Sequence, residues 1–264
     1  EAHFFVEFER FDRHIEKLKR SGQYLDYISI CTPNYLHDAH IRMALRAGAD
    51  AICEKPLVLN PWNIEALQEI EAQYGKRIHT ILQLRLHPSI IQLKKDITAK
   101  KAKTKHEVDL TYITSRGKWY DISWKGDEQK SGGVATNIGV HFFDMLSWIF
   151  GKVQHNETHL HEKHKAAGYL EFENARVRWF LSIDAQDLPQ EIQAKQQRTF
   201  RSITVDGQEL EFSQGFTDLH TVSYQEILKG NGFAVEEAKT SIDIIHTIRN
   251  QKIGASFSKH PLLQ

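Results

Sequence analysis

Apolar residues in the first third of the chain form short runs that alternate with stretches of helical spacing. Short apolar runs bounded by Gly, Pro or Asn are typical of buried strands, whereas apolar repeats every three to four residues are typical of helices. The predicted strands are 4–8, 24–31, 50–53 and 78–84, and the predicted helices are 11–18, 36–46 and 60–74. This alternation of strands and helices favours a doubly wound parallel sheet.

The pattern changes beyond about residue 87. Longer segments now alternate apolar and polar positions, which is typical of strands with one buried face. Asp206-Gly207 separates two such segments and predicts a hairpin. Strands are predicted over 107–114, 175–183, 200–205 and 208–212, and helices over 140–150 and 235–248. The sequence therefore predicts an α/β protein. An incomplete Rossmann-like parallel sheet (residues 1–86) precedes an α+β domain with a large, mostly antiparallel sheet (residues 87–264).

Composition limits the classes of partner. Lys+Arg and Asp+Glu both number 34, so the chain has no bulk field for nucleic acid or a membrane surface, and neither partner is expected. No apolar run approaches the roughly 18 residues that span a bilayer, and residues 1–5 lack a signal-peptide pattern. Cys31 and Cys53 lie in strand-like runs and are expected to be reduced thiols of a cytoplasmic protein.

Two polar turns follow directly after predicted strands. Thr32-Pro33-Asn34 follows the strand at 24–31, and Glu54-Lys55-Pro56 follows the strand at 50–53. In open parallel sheets, ligands bind beyond the carboxyl ends of the strands, where a lysine can stabilise a developing alkoxide. Each turn alone is equally typical of an ordinary capped βα connection.

A glycine-rich segment carries the third candidate site. Gly132 and Gly133 permit close approach of the backbone to a ligand, and Asn137 and His141 share a helix face. An imidazole suits a general base, and Asp144, three residues further on, is placed to orient it. The alternative for a single histidine is a buried, hydrogen-bonded core residue.

Taken together, the three segments resemble the glucose-fructose oxidoreductase / inositol dehydrogenase family. Their order is Thr-Pro-Asn-x-x-His, then Glu-Lys-Pro, then Gly-Gly with x-x-Gly-x-His-x-x-Asp. The resemblance implies NAD as cofactor, Lys55 and His141 as catalytic residues, and dimers or tetramers that bury an open sheet face. The implied cofactor-binding residues are Thr32, Pro33, Asn34, His37, Glu54, Lys55 and Gln83.

The second domain resembles one subgroup of that family, which oxidises C3 of UDP-N-acetylglucosaminuronic acid for bacterial surface polysaccharides such as O-antigen. The likeness lies in residues 108–117, 139–144, 175–180 and 215–220. Such a substrate is anionic at its pyrophosphate and carboxylate, which guanidinium groups bind through paired hydrogen bonds, although single arginines are more often solvated surface cations. The expected substrate-binding residues are Arg85, Arg116, Tyr120, Trp124, Asn137 and His141.

Two features depart from the wider family. Most of the wider family has Asp where this chain, like the nucleotide-sugar subgroup, has Asn137. A neutral amide cannot supply a carboxylate's charge, so a Lys-Asp-His triad is not expected. Residues 1–24 also contain no Gly-x-Gly-x-x-Gly turn, so a first βαβ unit of roughly 30 residues is expected to be missing, through an incomplete sequence or natural truncation. Without that unit, the chain is expected to bind NAD poorly and to expose a sheet edge.

Other interpretations remain open. The enzyme could act on another sugar or cyclitol, or the chain could be an inactive subunit that binds a sugar nucleotide, or a structural domain that self-associates. Four histidines between residues 155 and 164 suggest a metal site, but zinc sites usually include Cys or more closely spaced His, so no metal is expected. The sequence does not distinguish NAD from NADP, since the discriminating segment is not present.

Overall fold

The computed structural model describes residues 3–99, 104–210 and 218–263. Two sheets organise these residues. The strands are β1 (Tyr27–Ile30), β2 (Asp50–Cys53), β3 (Ile78–Thr80), β4 (His106–Thr114), β5 (Val153–His161), β6 (Lys165–Phe172), β7 (Ala175–Ser182), β8 (Thr199–Val205), β9 (Gln208–Glu209) and β10 (Phe233–Ala234). The helices are α1 (Phe8–Arg20), α2 (His37–Ala47), α3 (Pro61–Tyr74), α4 (Pro88–Ala99), α5 (Lys118–Ile122), α6 (Glu128–Ser131), α7 (Val140–Phe150), α8 (Gln190–Ala194), α9 (Leu219–Leu228) and α10 (Lys239–Asn250).

The first sheet has the order β1-β2-β3-β10, in which β1, β2 and β3 are parallel. Ile28 and Ile30 of β1 are buried in the core that α2 and α3 cover. Both helices end where predicted, at glycines in the left-handed conformation, which supplies the usual C-terminal cap. The predicted Rossmann-like parallel arrangement is therefore confirmed, and within the described residues no strand pairs with the outer edge of β1.

The predicted strand at residues 4–8 is wrong. Helix α1 begins at Phe8 instead, and the side chains of Phe4 and Val6 are 88% and 84% exposed. An isolated extended segment leaves its backbone groups unpaired, so apolar composition alone does not produce a strand here. The predicted strand at 78–84 is also shorter than expected, because the chain turns into a 3₁₀ helix at Gln83–Leu86.

The second sheet has the order β5-β6-β7-β4-β8-β9, and among these pairs only β4 with β7 is parallel. Helix α7 lies across its inner face, where the ring of Phe143 meets Trp179 edge-on, with ring centroids 5.2 Å apart. The Asp206-Gly207 turn joins β8 and β9 as predicted, while residues 211 and 212 of the predicted second arm lie outside the described ranges. The mostly antiparallel character is confirmed.

The chain returns to the first sheet near its C-terminal end. Strand β10 pairs antiparallel with β3, and α10 packs against both α3 and α7. The predicted boundary at residue 86 places this C-terminal segment in the second domain. In the structure, its elements pack against both sheets. No helix in the described part of the chain has the length and apolar character needed to cross a membrane.

Phe143 provides a test of the α7 packing, because its side chain is fully buried against Trp179. We expect Phe143→Ala to lower the free energy of unfolding by about 3–5 kcal/mol through lost burial and a residual cavity. Urea denaturation followed by circular dichroism measures this change. Phe4→Ala is the matched control, for which we expect a change within about 0.5 kcal/mol. Equal effects of the two variants would contradict this packing.

Candidate active site

The carboxyl ends of β1, β2 and β3 place Thr32, Lys55 and Gln83 along one edge of the first sheet. Lys55 reaches from this edge to the second domain, where its Nζ donates a hydrogen bond to the backbone carbonyl of Asn137 at 2.9 Å. Two of the predicted segments, separated by 82 residues, therefore meet in one cleft between the sheets.

The Asn137 carbonyl belongs to an unusual helical turn. Residues Ala135–Gly139 form a single π turn directly before α7, a feature often found at functional sites. Close packing requires glycine at its end, because a Cβ on Gly139 would lie 2.6 Å from a methyl group of Leu181. The glycine in the predicted motif thus lets the turn lie against the second sheet.

Asn137 makes a second contact through its side chain. Its Nδ2 donates to the hydroxyl oxygen of Tyr120 at 2.9 Å, so one residue connects Lys55 with Tyr120. Burial raises the pKa of Tyr120, which keeps the phenol protonated near neutral pH. Asn137 therefore organises two candidate residues, Lys55 through its backbone carbonyl and Tyr120 through its neutral side-chain amide.

Desolvation dominates the chemistry of Lys55. Burial lowers its pKa to about 8, the charge of Glu54 raises the pKa, and the nearby cations Lys125 and Arg116 lower it. An ammonium with this pKa can lose its proton within a pH range that most lysines do not reach. Such a perturbed group at a cleft is typical of a functional site.

His141 lies in the same environment. Burial lowers its pKa well below the usual value, and the charges of Lys55 and Arg201 lower it further. Among the residues that the structure describes, none hydrogen-bonds the buried Nδ1 atom of His141, while the ring of Tyr112 lies edge-on at 6.4 Å. The imidazole is therefore neutral near pH 7 and able to accept a proton.

Two cations line the same region. Arg116 lowers the pKa of both Lys55 and Lys125, and Lys125 Nζ lies 5.5 Å from the ring centroids of Trp119 and Trp124. Within residues 3–99, 104–210 and 218–263, no Asp or Glu forms an ion pair with Arg116 or Lys125. The cleft therefore offers positive charge to an anionic ligand.

Arg85 does not contribute to this positive charge, which corrects its predicted role in substrate binding. Its guanidinium is buried and binds both carboxylate oxygens of Asp144, at 2.9 and 2.7 Å, together with Glu237 at 2.5 Å. Asp144 is in turn paired with Arg85 and does not orient the imidazole of His141. The sequence could not indicate this pairing, because 59 residues separate the two partners.

His37 and Asn34 also have internal partners. Both ring nitrogens of His37 lie against backbone carbonyls, Pro56 at 2.7 Å and Thr32 at 2.8 Å, and Asn34 donates to the carbonyl of Ser131 at 2.9 Å. Direct cofactor binding by His37 is therefore corrected to a bracing role, since neither ring nitrogen is available. The two buried residues hold the predicted turns together.

Sequence reasoning missed two residues at this edge. His220 of α9 places its Nε2 3.1 Å from Glu54, and Lys125 adds to the charge around Lys55. His220 lies in a segment that carried the narrower resemblance, but nothing in its spacing indicated Glu54. Two histidines of β5 pair with separate carboxylates, His159 with Glu157 and His161 with Glu128. The described residues contain no group of three or more metal-ligating side chains.

Comparison with known proteins identifies the family. Residues 2–81 match the oxidoreductase family's NAD-binding Rossmann fold, and residues 103–188 match its C-terminal alpha/beta domain. The WlbA (WbpB) dehydrogenase from Thermus thermophilus, in complex with NAD and alpha-ketoglutarate, is 51% identical. Its TM-score is 0.94, and the match covers 99% of this chain and 84% of that chain. The chain belongs to the GFO/IDH/MocA oxidoreductase family.

Other members are similar over different extents. The same Thermus dehydrogenase in complex with NAD and UDP-GlcNAcA is 50% identical, with a TM-score of 0.94 and the same coverage. The D-glucoside 3-dehydrogenase of Escherichia coli (strain K12) is 26% identical over 129 residues, which are 48% of this chain and 36% of that enzyme. The chain thus matches little more than a third of the length of this curated relative.

Membership in the GFO/IDH/MocA family confirms the predicted oxidoreductase class and NAD as the cofactor class. The residues at the sheet edge fit this cofactor. The Oε1 atom of Gln83 is buried, and no described residue hydrogen-bonds it, so it can accept from a carboxamide such as that of nicotinamide. Thr32 and Pro33, which follow β1, are partly exposed at the same sheet edge, although the Thr32 hydroxyl already contacts His40.

The pKa of Lys55 can be tested directly. We expect its acetylation by acetic anhydride to reach half its maximum near pH 8, with acetylation of the exposed Lys17 as the internal reference for the reagent. Lys125→Gln removes a positive charge and should raise the pKa of Lys55, and Glu54→Gln removes a negative charge and should lower it. Peptide mass spectrometry measures both. Shifts of the same sign in the two variants would contradict this electrostatic arrangement.

Proposed function

We propose that the protein oxidises the C3 hydroxyl of UDP-N-acetylglucosaminuronic acid to the 3-keto sugar, with NAD as the oxidant. The observation that carries this proposal is the meeting of Lys55 with the His141 segment at the carboxyl edge of the first sheet. The similarity to the Thermus dehydrogenase, whose structure contains NAD and UDP-GlcNAcA, supports the substrate.

The proposed mechanism follows from the two protonation states. Neutral His141 accepts the proton of the C3 hydroxyl, and the Lys55 ammonium stabilises the alkoxide that develops. NAD, when bound, takes the hydride from C3. Asn137 holds Lys55 through its carbonyl, so the ammonium is already placed before the alcohol arrives. The oxygen keeps its bond to C3, which becomes the ketone as the C–H bond breaks.

The cations explain why the substrate should be an anion. Arg116 and Lys125 lie close enough to Lys55 to lower its pKa, and an anionic ligand would offset their mutual repulsion. We assign them, with Tyr120 and Trp124, to the uronate carboxylate or the pyrophosphate. A role in surface polysaccharide synthesis, a cytoplasmic location and a homo-oligomeric assembly complete the proposal.

A second candidate is oxidation of another sugar or a cyclitol. It is favoured by the similarity to the D-glucoside 3-dehydrogenase and to the inositol 2-dehydrogenase of Rhizobium meliloti, which is 28% identical over 130 residues. The same lysine and histidine would serve that reaction.

An inactive subunit that binds a sugar nucleotide without NAD is the remaining alternative. Calorimetry with each ligand distinguishes it from an enzyme, because such a subunit binds the UDP-sugar and does not bind NAD.

A substrate panel tests the proposed substrate. With the full-length protein, we expect kcat/KM for UDP-N-acetylglucosaminuronic acid to exceed that for UDP-N-acetylglucosamine by roughly tenfold or more. The second sugar has no uronate carboxylate and so cannot form the ion pair with Arg116 or Lys125. NADH formation is followed by absorbance. Myo-inositol is the control for the second candidate, and a preference for it or for the uncharged sugar would contradict the proposed substrate.

The catalytic assignment has its own test. Lys55→Ala and His141→Ala should each lower kcat by about 10²–10⁴-fold, because each removes a group that acts on the transition state. The matched controls are Lys17→Ala and His3→Ala, which remove the same residue types at exposed positions in the N-terminal segment, outside the candidate site. Near-normal turnover in both active-site variants would refute these roles.

A further inference from the structure

Arg85 is buried where three elements meet, and its guanidinium binds protein groups and not a substrate. It lies in the 3₁₀ turn at Gln83–Leu86, and its residue is 6% exposed. Nε and one Nη bind the two carboxylate oxygens of Asp144. The other Nη donates to the Glu237 carboxylate at 2.5 Å, and the first also donates to the Glu237 carbonyl at 3.1 Å. Almost every donor of the guanidinium is therefore engaged.

The partners of Arg85 come from separate elements. Asp144 lies on α7, three residues after His141, so the two share one side of the helix. Glu237 lies in the 3₁₀ helix Val235–Ala238 that precedes α10, and its second carboxylate oxygen accepts from the backbone N–H of Ala234 in β10 at 3.2 Å. One side chain thus connects the end of β3, the helix that carries His141 and the segment that returns to the first sheet.

The position of Arg85 along the chain gives this junction a consequence for catalysis. Gln83, two residues earlier in the same turn, has a buried acceptor that suits the nicotinamide carboxamide. His141 lies one helical turn before Asp144. Any shift of α7 against the 3₁₀ turn would therefore change the distance between the cofactor side and the alcohol side of the cleft.

We propose that Arg85 is a positioning residue for hydride transfer, which fixes the helix of His141 against the turn of Gln83. The inference rests on the proposed dehydrogenase function. Misplacement of reacting groups by about 1 Å lowers the rate roughly 10²-fold. A buried bidentate ion pair that prevents such a displacement therefore offsets the free-energy cost of desolvating its charges. Lysine cannot replace it, because a single ammonium does not match the fork of two carboxylate oxygens.

The first test uses turnover by the full-length protein. We expect Arg85→Met to lower kcat by about 10–100-fold while KM changes less than about threefold. The primary isotope effect on kcat with C3-deuterated UDP-N-acetylglucosaminuronic acid should increase, since hydride transfer becomes rate-limiting. Arg85→Lys should give the same direction. The matched control is Arg42→Met, which removes another bidentate pair, with Asp38 on α2, and should leave kcat and the isotope effect unchanged.

An isotope effect separates positioning from stability. A variant that only unfolds more readily contains fewer active molecules, which lowers kcat without altering the isotope effect. The folded fraction is measured in parallel by circular dichroism at the assay temperature. A lower kcat with an unchanged isotope effect would overturn the positioning role and leave Arg85 as a stabilising residue only.

The second test needs no substrate. Modification of His141 by diethylpyrocarbonate, followed by mass spectrometry, should become several-fold faster in Arg85→Met, because a displaced α7 exposes the buried Nδ1. His3, which is exposed, serves as the internal reference. An unchanged His141 rate would overturn the inference even if the protein proves to oxidise a different substrate. Conversely, if His141 is labelled faster in Arg85→Met but the protein does not oxidise UDP-N-acetylglucosaminuronic acid, only the proposed function is contradicted.

Discussion

The hydrogen bond from Lys55 to the carbonyl of Asn137 is the contact on which the candidate site depends. It joins the carboxyl edge of the first sheet to the π turn that precedes α7. Because the ammonium is desolvated there, its charge acts in a medium that screens it poorly. The contact therefore positions the lysine where burial lowers its pKa, and where its charge adds to the effect of burial in lowering the pKa of His141.

Burial of charged groups serves two separate purposes in this cleft. Near Lys55, Arg116 and Lys125 form no ion pair with a carboxylate of the described residues, which leaves their charge available for a ligand. Around Arg85, opposite charges satisfy each other with short hydrogen bonds, which leaves no charge to spare. Removing one partner of such a buried pair would leave an uncompensated charge in the interior. The Arg85 pair is therefore held in place, although it lies close to the cleft that carries the unpaired cations.

Several elements could be predicted because their signals are local. Helices α2 and α3 end at glycines, and α7 occupies the predicted residues 140–150. Strand β6 was not predicted, and of β5 only the alternating residues 158–161 indicated a strand, since β5 carries polar residues on both faces and its alternation is interrupted by register shifts. Residues 4–8 had strand composition without a partner. A strand depends on pairing with distant residues, which composition does not report.

The sequence by itself determined the alternation of strands and helices from β1 to β3, the two polar turns at strand ends, the glycine-rich segment that carries His141, and the family to which they point. Only the tertiary structure decided which charged residues face the cleft and which are paired inside. Arg85 and Arg116 are equivalent in the sequence, each following a predicted strand. They differ because Asp144 and Glu237, distant along the chain, fold onto Arg85 alone, and a guanidinium whose donors are already engaged cannot bind a ligand.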